Sequence, residues 1–344
     1  MGKSTGMPPG AGRRLGMKEI ARRAGVAPMT VSRALTAPAK VSPDTRQRIL
    51  AVIERDGFIR NQLASGMRSG RTIVGTMVPP LINSGIAEQV QGMADACRET
   101  GYQLQLLQGD FSVAAEEDAA IRALLGWQPA GLILQAFVQS AAARQLLAGA
   151  EVAVVEISEV RGREPIDMAV GVSNFDAAHA MTSHLHAKGY RRIGFVSTPV
   201  HGNDRLQQRR IGYRQALADQ GLVYPAELEV EVPITPAGGA EAVRVLTARD
   251  PALDVIFCSS DTLAIGAVQE CHRRGWAVPG RLAIAGYGDM DLAAQLYPTL
   301  TTVRVDRYGM GRRAVTQLLR RLKGDPNVEP VLRLGFEIVE RESA

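Results

Sequence analysis

MKEIARRAGVAPMTVSRAL, residues 17–35, is the stretch that decides how the N-terminal region folds. Ile20 and Ala24 stand four residues apart, the spacing of one buried helix face, so Met17–Ala24 is predicted as a helix. Gly25 follows and can take the left-handed conformation of a tight turn. Pro28 then opens a second helix at a position where its missing N–H would have no intrahelical partner anyway. Within 28–35, Val31, Ala34 and Leu35 recur at i, i+3 and i+4 and should turn inward. Met29, Thr30, Ser32 and Arg33 are left pointing outward. Ser42-Pro43-Asp44 opens a third helix with a cap residue, a proline at the first helical position and an acid in the first turn. Gly57 ends it.

Helix, glycine turn, and a second helix with short polar side chains and an arginine outward form the layout of a helix-turn-helix. Its second helix can enter the major groove of DNA. There Thr and Ser reach phosphates or base edges, and Arg can be bidentate to guanine. The plainer alternative is a small three-helix bundle with a polar surface. Charge separates the two. Residues 1–70 hold 13 Lys/Arg and 4 Asp/Glu, a net of +9, whereas the whole 344-residue chain is only +5 and the remainder therefore −4. That distribution fits a polyanion-binding module joined to a neutral-to-acidic body.

Composition excludes other classes. Apolar residues make up 46% of the chain, enough for real cores. Cys97, Cys258 and Cys271 are too widely spaced for a disulfide framework or a CxxC metal site, which fits a reducing cytoplasm. No apolar run approaches the roughly 18 residues of a membrane span. The Gly/Pro-rich residues 1–14 lack the apolar segment of a secretory signal and are expected to be a disordered tail.

Residues 17–35, continued by Val41-Ser42-Pro43-Asp44-Thr45-Arg46 and Phe58-Ile59-Arg60-Asn61, closely resemble the headpiece of the lactose/purine-repressor family of bacterial transcriptional regulators. The resemblance covers nearly the whole chain after residue 15. It implies a three-helix helix-turn-helix headpiece (15–60), a hinge (61–71) and a two-lobed, periplasmic-binding-protein-like effector domain (72–344). It implies DNA contacts by Met17, Arg22, Met29, Thr30, Ser32 and Arg33. In the hinge, Asn61, Leu63 and Met67 would join them, with Met67 matching the apolar residue that wedges into the minor groove. Two departures stand out. Arg60 replaces the usual proline, and Gly66 inside the hinge costs a helix about 1 kcal/mol. A plain flexible linker is the other reading of this segment.

Past residue 71, short apolar runs alternate with helical periodicity, twice over. The helix over residues 86–100 is read with Ala87, Val90, Ala94 and Cys97 on one face. Such alternation means parallel sheets covered on both faces, and two runs mean two lobes. Family topology places residues 72–173 and about 303–324 in the N-lobe. It places 174–300 and a terminal strand at 331–340, with the rest of 331–344, in the C-lobe. Ligands sit at the carboxyl ends of strands in such sheets. The loops there offer Asn83, Gln135, Asn203, Arg205, Arg209, Ser260, Asp261 and Asp289 as effector-binding residues. Arg205 and Arg209 near a helix start favour an anion, although an Asp at such a position can equally be a helix cap and an Arg a solvated charge. Asp167–Gly171, Val172–Asp176, Val255–Cys258 and Gly286–Asp289 look most like the gluconate-operon repressor group. The resemblance implies gluconate or a related sugar acid as effector, a homodimer and a double-stranded palindromic operator. Release by an inducer is expected, with corepressor dependence or a sugar-binding protein without DNA function as alternatives. No metal, cofactor or catalytic residues are expected. GxGxxG, GxxxxGK[ST], GxSxG and HExxH are all absent, which speaks against an enzyme.

Overall fold

The computed structural model describes residues 17–56, 72–79, 81, 84–109, 114–135, 140–162, 164–200, 203–222 and 226–344. The expected tail, the hinge with Asn61, Leu63 and Met67, and the effector candidate Asn83 lie outside the described residues. The chain divides into two compact units, residues 1–70 and 71–344.

In the first unit α1 (Met17–Ala24), α2 (Pro28–Thr36) and α3 (Pro43–Asp56) surround one small core. Ile20, Ala21, Ala24, Val31, Ala34, Ile49 and Val52 are buried together. Gly25 makes the α1–α2 turn at φ +64°, a conformation that strains any residue with a Cβ. The apolar spacing therefore does what it predicts: Val31 and Ala34 go inward while Met29 stays 58% exposed.

The second unit holds two six-stranded sheets. The N-lobe strands are β1 (Ile73–Val78), β2 (Gln103–Gln108), β3 (Gly131–Leu134), β4 (Ala153–Glu159), β5 (Met168–Val172) and β11 (Val331–Arg333). Their order is β11-β5-β4-β3-β1-β2, parallel throughout. The C-lobe strands are β6 (Ile193–Ser197), β7 (Glu229–Glu231), β8 (Val255–Cys258), β9 (Ala283–Gly288), β10 (Thr301–Arg304) and β12 (Glu337–Val339). They run β12-β10-β9-β8-β6-β7, with only the β10–β12 pair antiparallel. The helices between them are α4 (Ser84–Glu99), α5 (Ala114–Gly126), α6 (Ala141–Gly149), α7 (Asn174–Ala187), α8 (Asp204–Asp219), α9 (Pro236–Arg249), α10 (Asp261–Arg273) and α11 (Arg307–Leu322).

Three features depart from the sequence reading. The single strand expected over 331–340, assigned to the C-lobe, is two strands. Val331–Arg333 pairs with β5 in the N-lobe, and only Glu337–Val339 reaches the C-lobe sheet. The apolar alternation runs on across Gly335, so periodicity alone shows no break. β5 and β10 are strands that strand–helix alternation provides no place for, because neither follows a helix. β10 also belongs to the C-lobe, so the return to the N-lobe starts at α11 rather than at residue 303. On α4 the buried stripe is Ile86, Gln89, Met93, Ala96 and Cys97, with Ala87 exposed. The stripe is shifted because α11 packs at Gly92, where a Cβ would lie 2.1 Å from the Tyr308 carbonyl oxygen.

The chain crosses between lobes at β5–α7, β10–α11 and β11–β12. Residues following the carboxyl ends of β1, β6 and β8, and the last residues of β9, line one cavity between the lobes.

Candidate functional site

In the first unit the candidate surface is α2. Its N-cap is Ala27, which has no side-chain cap to its first turn. The uncapped amides at that end favour an anion such as a phosphate. Arg33 is exposed, and Thr30 and Ser32 are half-buried along the same helix. The other two headpiece candidates behave differently. Met17 packs against the core. Arg22 is exposed but held by both oxygens of Glu19. Arg23 bonds Glu19 at 2.8 Å and Asp56 at 3.0 Å, tying α1 to the end of α3. Hydrogen bonds from Arg22 and then Arg23 hold the Glu19 carboxyl down at about 2, and Arg55 and Arg23 do the same for Asp56.

In the second unit the candidate site is the inter-lobe cavity, of about 300 Å³. Four sequence candidates line it: Asn203, Arg205, Arg209 and Ser260. Asn203 and Ser260 are also helix caps. Asn203 Oδ1 accepts the Leu206 N–H (3.2 Å), and Ser260 Oγ accepts the Thr262 N–H (3.2 Å). The capping and ligand-facing readings hold together, because the C-terminal ends of strands and the first turns of the following helices meet at the same place.

Arg209 is the best-fixed cation. It is 8% exposed. Its Nε donates to Asn174 Oδ1 (2.8 Å) and its Nη1 to the Ser259 carbonyl (2.7 Å), while the guanidinium lies 3.6 Å over the Tyr287 ring. Tyr287 in turn donates to Asn174 Oδ1 at 3.0 Å. Burial pulls the Arg209 pKa down to about 10, and burial also lowers that of Arg205. Arg209, at about 10, stays cationic at neutral pH. With Nε and Nη1 engaged by the protein, Nη2 has no hydrogen-bond partner among the described residues beyond its place over the Tyr287 ring. Arg205 sits one turn away on the same face of α8.

Three candidates are elsewhere. Asp261 is fully buried and does not line the cavity: Thr302 Oγ1 donates to Oδ1 (2.6 Å) and the Met290 N–H to Oδ2 (2.8 Å). Asp289 is clamped between Arg304 (2.6 Å) and Arg341 (2.7 Å). Gln135 is 1% exposed at the end of β3, outside the lining, and its amide atoms have no hydrogen-bond partner among the described residues. Carboxylates on strand-end loops suit sugar hydroxyls, yet these two are absorbed by structural donors.

Sequence reasoning missed Tyr287 and Arg307, which line the cavity, and Asn174, which holds Arg209. Arg307 opens α11 directly after a lobe crossing. Nothing local marks it, because its role depends on where α11 packs. Among the described residues no cluster of His, Cys, Asp and Glu could hold a metal ion, and no helix is long and apolar enough to cross a membrane.

Residues 16–61 match the family described as bacterial regulatory proteins, lacI family, and residues 182–344 match a periplasmic binding protein-like domain. The HTH-type transcriptional regulator GntR of Escherichia coli K12 is 33% identical over 324 residues, spanning 94% of this chain and 96% of that protein. The chain belongs to the LacI family. It is accordingly a DNA-binding transcriptional regulator with a helix-turn-helix headpiece and a periplasmic-binding-protein-like body. GntR of Pseudomonas aeruginosa is also 33% identical, over 95% of each chain. Among solved structures, a LacI-family regulator from Silicibacter pomeroyi superposes with a TM-score of 0.85 at 29% identity, covering 96% of this chain and 99% of that one. The regulator GntR from Chromobacterium violaceum gives 0.74 at 32% identity, covering 79% and 98%. In LacI-family terms α1 and α2 are the helix-turn-helix.

Proposed function

We propose that this LacI-family regulator is a repressor of sugar-acid catabolism genes that a gluconate-type acid releases from a palindromic operator. The observation that carries the reading is the cleft itself. Arg205, Arg209 and Arg307 face one cavity, and among the described residues none has a carboxylate within ion-pair distance. Guanidinium groups in a partly dry cleft match a carboxylate in geometry and charge. Thr198, Asn203 and Ser260 supply neutral donors and acceptors for hydroxyls. The likeness to GntR proteins agrees with this ligand class.

On the DNA side, Met29, Thr30, Ser32 and Arg33 read the major groove from α2. Arg22 and Met17 support that surface, and Asn61, Leu63 and Met67 belong to the minor-groove hinge. A homodimer reads two half-sites. Acid bound between the lobes favours one lobe geometry, and the operator favours the other. The regulator works in the cytoplasm and catalyses no reaction.

The test is a thermal-shift titration of the full chain with gluconate, neutral hexoses and pentoses, paired with a gel-shift on operator DNA. Gluconate should raise the unfolding temperature through mass action and release the DNA. Stabilisation by a neutral sugar with no response to gluconate would overturn the ligand assignment. Tighter operator binding with gluconate would overturn the sign of coupling.

A further inference from the structure

The effector cleft carries more positive charge than one carboxylate neutralises. Arg205 and Arg209 come from one face of α8. Arg307 comes from the opposite side of the cleft, where the chain leaves β10 for α11. Its path is kept open by Gly85. A Cβ at Gly85 would lie 2.6 Å from Arg307 Nε, whereas one at Gly288 would make only ordinary contact with Nη2 at 3.6 Å. The acids around the cleft are committed elsewhere. Asp261 serves Thr302 and Met290, and Asp289 serves Arg304 and Arg341. Asp204 accepts the backbone N–H of Arg205 at Oδ1 and offsets part of the Arg205 charge alone, leaving Arg209 and Arg307 without an acid at ion-pair distance among the described residues. Glu88 on α4 is near enough to feel Arg307 but lies beyond ion-pair distance. A monoanion would leave two guanidiniums facing each other in a space from which the ligand has displaced water, and uncompensated charge in such a space is costly.

Resting on the sugar-acid reading above, we propose that the effector is a polyol acid with an anion at each end: a carboxylate at Arg205 and Arg209, and a second anionic group, phosphate ester or carboxylate, at Arg307. At about 300 Å³ the cavity is at the small end of ligand sites, so both anions belong to one small molecule.

The test is calorimetric titration of the full-length protein with gluconate, glucarate and 6-phosphogluconate. Gluconate has one anion, glucarate two carboxylates, and 6-phosphogluconate a carboxylate and a phosphate. At least one dianion should bind about tenfold or more tighter than gluconate, and the tighter of the two identifies the second group. Arg307→Gln should bring the gluconate-to-dianion ratio of Kd close to one, and Arg307→Lys should restore part of it. Thermal unfolding of the ligand-free variants checks that they fold. Equal wild-type affinities for gluconate and both dianions would overturn the proposal while leaving the sugar-acid reading intact. A ratio unchanged by Arg307→Gln in a folded variant would do the same. If none of the three acids binds, both readings fall.

Discussion

Replacing Arg209 with Met separates a binding residue from a structural one. The guanidinium makes two hydrogen bonds, to Asn174 and Ser259, and stacks on Tyr287. Together those two bonds stabilise the fold by about 3–5 kcal/mol, at the rate for charged donors. Against this, burial holds the Arg209 pKa at about 10, which corresponds to a penalty of about 3 kcal/mol on the charged form. Met keeps apolar contact over the Tyr287 ring. The net loss of stability is therefore small, about 0–2 kcal/mol, a shift of a few degrees at most for a body of this size. Binding is another matter. The ligand loses a fixed charged donor at Nη2 and the field of a dehydrated cation, about 3 kcal/mol, or roughly a hundredfold in Kd. Calorimetry with gluconate and differential scanning of the ligand-free variant read the two effects separately. Arg209 also has a defined pH behaviour. A cation with a depressed pKa bears its full burial cost at every pH below about 10 and is relieved only as pH rises through that value. Arg209 therefore adds no step to binding or stability between about pH 5 and pH 9. A variant that binds gluconate within threefold of wild type, or that loses its cooperative unfolding transition, would refute this account.

Other expectations follow from the same contacts. Arg33→Ala should leave the headpiece folded, since the side chain is exposed, and should weaken operator binding by about 1–3 kcal/mol if it reads a guanine. An unchanged gel-shift would remove it from the contact set. Gly212→Ala should destabilise the body by about 2 kcal/mol or more, because the new Cβ would lie 2.2 Å from the Phe175 carbonyl oxygen where α7 and α8 meet. A melting curve matching wild type would show that the helix pair can open without cost. Glu19 and Asp56 are held at about 2 by their arginines, below the ordinary carboxyl value of about 4. A depressed carboxyl contributes stability that is present above its unfolded value, so the α1–α3 tie should persist at neutral pH and fade as pH falls from about 4 to about 2. Carboxyl-carbon NMR midpoints for both residues near 4 would contradict those ion pairs.

Much of this protein is written in short-range signals. Apolar spacing, the glycine at residue 25 and the Ser-Pro-Asp start placed the three headpiece helices within a residue or two, because a helix of that length is set by its own caps and one buried stripe. The charge split between residues 1–70 and the body also needs no coordinates. Arg205 and Arg209 could be paired from sequence because residues four apart on a helix share a face. Long-range pairing settled the rest. Whether Val331–Arg333 joins the N-lobe or the C-lobe depends on which strand edge it meets, and five parallel partners along one sheet say nothing of that locally. Asp261 and Asp289 look like ligand groups until Thr302, Arg304 and Arg341, distant in sequence, arrive as their donors. Arg307 enters the cleft because α11 returns across it beside Gly85, where a Cβ would lie 2.6 Å from its Nε. The sequence by itself determined the kind of protein, the three helices of its headpiece and the shared helix face of Arg205 and Arg209. Only the tertiary structure decided which acids are already taken and how many cations remain facing the cavity, because those facts are sums over residues brought together by both sheets.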